Sequence, residues 1–235
     1  MKEIVKIENL SKDYGQGDVI VHALKDVTLS VQSGEFVAMA GPSGSGKSTL
    51  LNIVGGMIKP TSGSVYIDGH DITKLSRSAL SVLRRDRIGF VFQDYSLIPV
   101  LTALENAEYV LMLQGLSTSK RREKVLGILD EVGLKGLQNR LPRELSGGQQ
   151  QRVAIARAIA SEPALVLADE PTANVDSKTG GALMDLMRQL NEHKGITFLF
   201  ATHEKDVMRR SKRLIVIRDG GIEADGDPEK VIDAI

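Results

Sequence analysis

Apolar and polar positions alternate through "EIVKIENL" and again through "HALKDVTLSVQSGEFVAMA", a period of two rich in β-branched residues that predicts strands. The second run is interrupted at "SGE", and the interruption predicts a hairpin there. Further short apolar runs at "GSVYIDG", "IGFVFQ", "ALVLADE", "ITFLFATH" and "RLIVIRDGG" predict more strands. Between several of them the spacing lengthens to that of a helix, notably from Ser48 to Met57 and from Lys178 to Asn191. Strands alternating with helices predict an α/β fold: a mainly parallel sheet with helices on both faces and an antiparallel β portion near the N-terminus.

The stretch from 94 to 160 breaks that alternation. "TALENAEYVLMLQG", "SKRREKVLGILDEVG" and "SGGQQQRVAIARAIA" are three consecutive helical patterns with no strand between them. The expected organisation is one domain over 1–235, with a core from 1–93 and 161–235 and an inserted helical subdomain over 94–160. No internal repeat or low-complexity linker interrupts it.

Composition narrows the partners. Of the 235 residues 42% are apolar, enough for a full core, and 30 Lys plus Arg balance 30 Asp plus Glu. A formal charge of zero leaves no overall field to hold a nucleic acid, and the local run Arg84, Arg85, Arg87 is expected to be a solvated face. With no cysteine, thiol catalysis and disulfides are excluded. The opening "MKEIVKIENLSKDYG" lacks the apolar region of a signal peptide, and no apolar stretch approaches the ~20 positions that span a bilayer. The expectation is a cytoplasmic protein that meets a membrane only through a partner.

Four of the apolar strands end in a residue with chemistry: Gly41 after "FVAMA", Gln93 after "IGFVF", Asp169 and Glu170 after "ALVLA", and His203 after "FLFAT". Ligands of open α/β sheets bind at the carboxyl edge of the strands, so these segments are expected to converge. "GPSGSGKS", from Gly41 through Pro42, Ser43, Gly44, Ser45, Gly46 and Lys47 to Ser48, satisfies G-x-x-x-x-G-K-[ST] between a strand and a helix, with Thr49 following. Its backbone N–H groups would wrap phosphates, Lys47 would reach the β and γ oxygens, and Ser48 would ligate Mg²⁺. Asp169 suits the Mg²⁺ shell. Glu170 suits orienting and deprotonating a water, although both carboxylates could instead cap the next helix. His203 is a γ-phosphate contact if that site forms, and a structural histidine otherwise.

A second glycine-rich helix start lies far downstream. In "ELSGGQQQRVAIARA", Ser146 and Gln149 form S-x-x-Q, a capping box that by itself describes a well-capped helix. Gly147 and Gly148 argue for more, because each costs ~0.8–1 kcal/mol relative to Ala inside a helix. What they provide is an open, positive helix end suited to an anion. The upstream loop already serves this chain's own nucleotide, so the second start would serve one held by another chain.

Together these residues resemble the nucleotide-binding domain of ATP-binding cassette (ABC) transporters. "LSGGQ" is similar to the family signature, "GPSGSGKS" to its Walker A, "LVLADE" to its Walker B with catalytic glutamate, Gln93 to its Q-loop, "NVDS" to its D-loop and His203 to its switch histidine. The resemblance implies ATP and Mg²⁺ as ligands, with Glu170, His203, Lys47 and Gln93 catalytic and Ser48, Gln93 and Asp169 around the metal. It implies a head-to-tail homodimer in which Ser146, Gly147, Gly148, Gln149 and Asp176 serve the partner's ATP. Tyr14 is similar to the adenine-stacking aromatic, with a structural tyrosine as the alternative. Ala173 and Val175 depart from the glycine and leucine common in relatives.

"RRDRIGFVFQDYSLIPVLTALENAEY" and the hairpin "GQGDVIVHALKDV" resemble the lipoprotein-release, macrolide-export and cell-division group. An integral membrane transporter subunit is therefore the implied partner, placing the protein on the inner face of the membrane. The end "DGGIEADGDPEKVIDAI" leads to the expectation that the regulatory extension of many sugar importers is absent. Leu97 and Ile98 are expected to meet the membrane partner, or else to close the local core. A soluble ABC ATPase acting on nucleic acid or the ribosome, and a P-loop small-molecule kinase, are the competing readings; the first lacks a basic face, and the second leaves the signature helix unexplained.

Overall fold

A computed structural model of the protein describes residues 2–16 and 19–232. Strand β1 (Glu3–Gln16) folds back on β2 (Val19–Gln32), with Gln16 opposite Val19 and Glu3 opposite Gln32. The turn of this hairpin, Gly17 and Asp18, lies outside the described residues. β4 (Ser62–Ile67) and β5 (His70–Asp71) complete an antiparallel sheet of order β2-β1-β4-β5.

The chain does not form a hairpin at "SGE". β3 (Phe36–Ala40) leaves for a second sheet, and the reason is legible in burial: β2 alternates between exposed and buried positions, whereas all five residues of β3 are buried. A strand apolar on both faces needs cover on both, which an outer hairpin cannot supply. β3 lies between β8 (Thr197–Thr202) and β9 (Arg213–Arg218) in a six-stranded sheet of order β10-β9-β3-β8-β7-β6. β6 (Ile88–Val91) and β7 (Leu165–Asp169) are parallel to these, and only β10 (Gly221–Gly226) runs antiparallel.

Period-two side-chain alternation divides the core between the sheet's faces. Val37, Met39, Leu165, Leu167, Leu199 and Ala201 pack toward α1 (Lys47–Val54) and the antiparallel sheet. Ala38, Ala40, Val166, Ala168, Phe198 and Phe200 pack toward α3 (Ala103–Leu113), α4 (Thr118–Glu131), α5 (Gly147–Ile159) and α6 (Ser177–Lys194). Among the described residues no strand lies between β6 and β7. The helices there share one continuous core with the sheet.

Three local readings change. α1 ends at Val54 before Gly55 and Gly56, while α6 reaches from its Asp176 cap to Gly195. The basic run belongs to α2 (Arg77–Arg87), a helix unmarked by the strand pattern. It is not a merely solvated face: Arg84 donates to the Gly56 carbonyl at 2.8 Å, Arg85 pairs with Asp86 and Arg87 with Asp68. α7 (Lys205–Arg210) and α8 (Pro228–Val231) are short. No helix among the described residues is long and apolar enough to cross a membrane.

Candidate functional site

Register brings the four strand ends level. Ala40 pairs with Thr202, Ala201 with Asp169 and Ala168 with Val91, so the loops after β3, β8, β7 and β6 leave the sheet along one edge. The loop after β3 carries glycines at φ 152° (Gly41), 80° (Gly44) and 107° (Gly46), and Gly46 stands at the N-cap of α1 without any side-chain cap. A Cβ on Gly46 would lie 2.5 Å from the Ala23 carbonyl oxygen. The loop therefore needs glycine there on two counts: dihedral angle and space. It delivers an uncapped helix start, whose unpaired N–H groups and positive dipole end suit an anion.

Lys47 is folded into this loop, donating to the carbonyls of Gly41 at 2.8 Å and Pro42 at 2.9 Å. Burial lowers its pKa. Ser48 donates to Asp169 Oδ1 at 3.1 Å, and burial raises the Asp169 carboxyl above its ordinary range. Glu170 occupies the left-handed region at φ 46°, its N–H bonded to the Ala201 carbonyl. One carboxylate oxygen, Oε1, lies 2.8 Å from His203 Nδ1; the other, Oε2, is buried with no partner in the protein. A buried carboxylate oxygen without a donor is an acceptor in want of water or a hydrated ligand.

A cavity of about 540 Å³ is lined by Ser43 to Thr49, Glu170, His203 and, from β2, Val21, His22 and Ala23; Asp169 is outside the lining and meets it through Ser48. The β2 residues carried no signal in the sequence, since only the hairpin's packing on the loop brings them there. A larger cavity of about 760 Å³ lies at the opposite, amino-terminal end of the strands. Its cations are all matched within the chain: Lys2 and Arg87 with Asp68, Lys124 with Glu162, Lys194 with Glu131. The smaller cavity holds the chemistry.

The remaining expected residues lie outside its lining. Tyr14 is exposed, opposite Val21 in the hairpin register and beneath Lys12, whose Nζ is 4.9 Å from its ring; it is beside the cavity but not in its lining. The exposed Gln93 side chain makes no hydrogen bond among the described residues, while its carbonyl accepts from Asn174 at 2.8 Å. Asp176 caps α6, accepting from the Thr179 N–H at 3.0 Å and hydroxyl at 2.6 Å, bonds that lower its pKa. Ser146 and Gln149 form the full capping box of α5. Their helix start does not line the chain's own cavity. Leu97 is half-buried against the main core, and both backbone groups of Ile98 are held by the buried Asn106.

An uncapped glycine-rich helix start after a parallel strand, with an oriented carboxylate in the same cavity, belongs to the fold of the P-loop nucleoside triphosphatases. Residues 24–173 match the family described as ABC transporter. The uncharacterized ABC transporter ATP-binding protein MJ0796 of Methanocaldococcus jannaschii is 49% identical over 224 residues, covering 94% of this chain and 95% of the relative. The macrolide export ATP-binding/permease protein MacB of Aggregatibacter actinomycetemcomitans is 43% identical over 232 residues, covering 99% of this chain but 36% of MacB. A dimeric structure of MJ0796 in a post-hydrolysis state, bound to ADP and Pi, superposes with a TM-score of 0.88 at 48% identity, covering 95% of this chain and 98% of that one. The chain belongs to the ABC transporter family, as an ATP-binding cassette that hydrolyses ATP.

Proposed function

We propose that two copies of this chain close head to tail around two ATP molecules, the Ser146–Gln149 helix start of each completing the cavity of the other, and that this closure drives an integral membrane transporter subunit. The observation that carries the reading is the one-sidedness of the cavity: Ser43–Thr49, Glu170 and His203 line it, and the second glycine-rich helix start does not. Supporting it, MJ0796 has a dimeric structure as an ABC transporter cassette, and MacB is an ATP-binding and permease protein in one chain. The protein then works at the cytoplasmic face of the membrane, with the 94–160 helices as a subdomain that moves against the core.

Within one site, the loop N–H groups and Lys47 hold the β and γ phosphates, and Tyr14 stacks on the base. The Ser48 hydroxyl and Asp169 carboxylate are oxygen donors already 3.1 Å apart, the donor chemistry magnesium prefers, and Gln93 is the third ligand in this reading. Magnesium bound there would supply charge neutralisation across the phosphate oxygens. Glu170 Oε2 accepts the attacking water's proton, and His203 holds the same carboxylate by its other oxygen. Asp176, exposed at the start of α6, faces the partner.

Glu170→Gln keeps the shape and removes the base. Hydrolysis should fall about 10²–10⁴-fold while ATP still binds. Size-exclusion chromatography with saturating ATP should then show a dimer; a persistent monomer would overturn the composite site.

A further inference from the structure

Tyr95 and Ser96, directly after the Gln93 segment, both take left-handed backbone angles, φ 63° and 44°. Neither is glycine, so the conformation is strained and something must hold it. Arg157 of α5 does so, donating to the Ser96 carbonyl at 2.5 Å and the Tyr95 carbonyl at 2.9 Å from a half-buried side chain. The strained turn sends the Tyr95 side chain across to the segment that follows Glu170, where its hydroxyl donates to the Asn174 carbonyl at 3.0 Å. Asn174 returns the connection through its side-chain amide, which donates to the Gln93 carbonyl at 2.8 Å. The same phenol oxygen lies where a Cβ on Gly147 would come within 2.7 Å of it. Gln151, one turn into α5 and fully buried, donates to the Pro171 carbonyl at 2.6 Å and to the Phe92 carbonyl at 3.5 Å, and so ties the same three segments a second time.

We propose that Tyr95 is a positioning residue for ATP hydrolysis: by holding the Asn174 carbonyl, its hydroxyl fixes the segment bearing Gln93 against the segment bearing Glu170 and seats the start of α5 on both. Phenylalanine would supply the same ring for packing. Only the hydroxyl makes the cross-connection. The part concerning Gly147 rests on the head-to-tail reading above. The part joining Gln93 to Glu170 lies within one chain and does not.

The test is steady-state ATPase of the full chain carrying Tyr95→Phe, Asn174→Ala or both, with ATP affinity of the monomer measured separately. Each single variant should lower kcat about two- to tenfold, the range of one lost hydrogen bond, with KM for ATP and monomer affinity unchanged within about twofold. The double variant should fall no further than the worse single one, because both changes open the same closed loop of contacts. Wild-type kcat in Tyr95→Phe, a rise in KM at constant kcat, or single effects that multiply in the double variant would each overturn the proposal. Should Glu170→Gln fail to dimerise with ATP, the composite site falls. The kcat and non-additivity criteria still judge the Tyr95 connection.

Discussion

Two helices of this protein begin at glycine-rich sequence, and they do so for different physical reasons. At α1 the glycines turn the backbone left, Gly44 and Gly46 having positive φ and Gly46 also lying against the Ala23 carbonyl, and no side chain caps the helix, so its first N–H groups are left open. At α5 neither glycine has positive φ, and a capping box of Ser146 and Gln149 occupies the Gln149 N–H at the helix start. Its glycines serve close approach inside the chain: a Cβ on Gly147 would meet the Tyr95 hydroxyl, and one on Gly148 would lie 2.4 Å from Thr179 Cγ2. Glycine in a sequence reports that something comes near or that the backbone turns left. It does not say which, nor whether the neighbour belongs to the same chain.

The largest effect should come at α1. Gly46→Ala sets a Cβ against the Ala23 carbonyl at 2.5 Å and a dihedral that alanine adopts poorly, for ~1–2 kcal/mol of strain before the clash is counted. Calorimetry should show Tm lower by about 4 °C or more. Titration should show ATP affinity lost by more than about tenfold, since a 1.4 kcal/mol change is already a factor of ten. Wild-type affinity would show that this helix start is not the phosphate site.

What was legible in the sequence follows the same division. The convergence of the glycine-rich loop, the carboxylate pair and His203 could be read because each stands directly after an apolar strand. The break at "SGE" could not be read correctly, because hairpin and sheet change look alike until the burial of both faces of Phe36–Ala40 is known. The contact of His203 with Glu170, the cavity wall from Val21 to Ala23 and the cross-connection at Tyr95 depend on register and loop path between residues far apart in the chain, 33 positions for His203 and Glu170 and 79 for Tyr95 and Asn174. No local pattern encodes such pairings.

A variant of intermediate effect separates the two uses of glycine at α5. Gly148→Ala drives a methyl into Thr179, whose hydroxyl is pinned to Asp176 at 2.6 Å, so overpacking of about 1–3 kcal/mol is expected. Adding Thr179→Ser removes the offending Cγ2 and keeps the hydroxyl. Thermal stability should recover in the double variant. If α5 also serves the partner's nucleotide, ATP-dependent dimerisation in the Glu170→Gln background should stay impaired; recovery of both would assign Gly148 to its own chain alone.

The smallest effects should have opposite signs at the two helix starts. Ser146→Ala removes a satisfied cap and should cost about 1 kcal/mol, or about 2–4 °C in Tm. Around α1 the groups are poised for a ligand, and burial acts against the Asp169 carboxylate, raising its pKa. Asn at that position keeps an oxygen to accept from Ser48 and carries no charge into the half-buried site. Asp169→Asn should therefore raise Tm of the nucleotide-free, metal-free protein by about 1–2 °C, a gain near 0.5 kcal/mol of the kind seen when a functional site is relieved of its charge. ATPase activity should fall in the same variant, so stability and function move apart. A lower Tm for Asp169→Asn would mean that the carboxylate already earns its place through Lys47 and Ser48 in the empty fold, and that the contrast between an open helix start and a closed one is one of geometry alone.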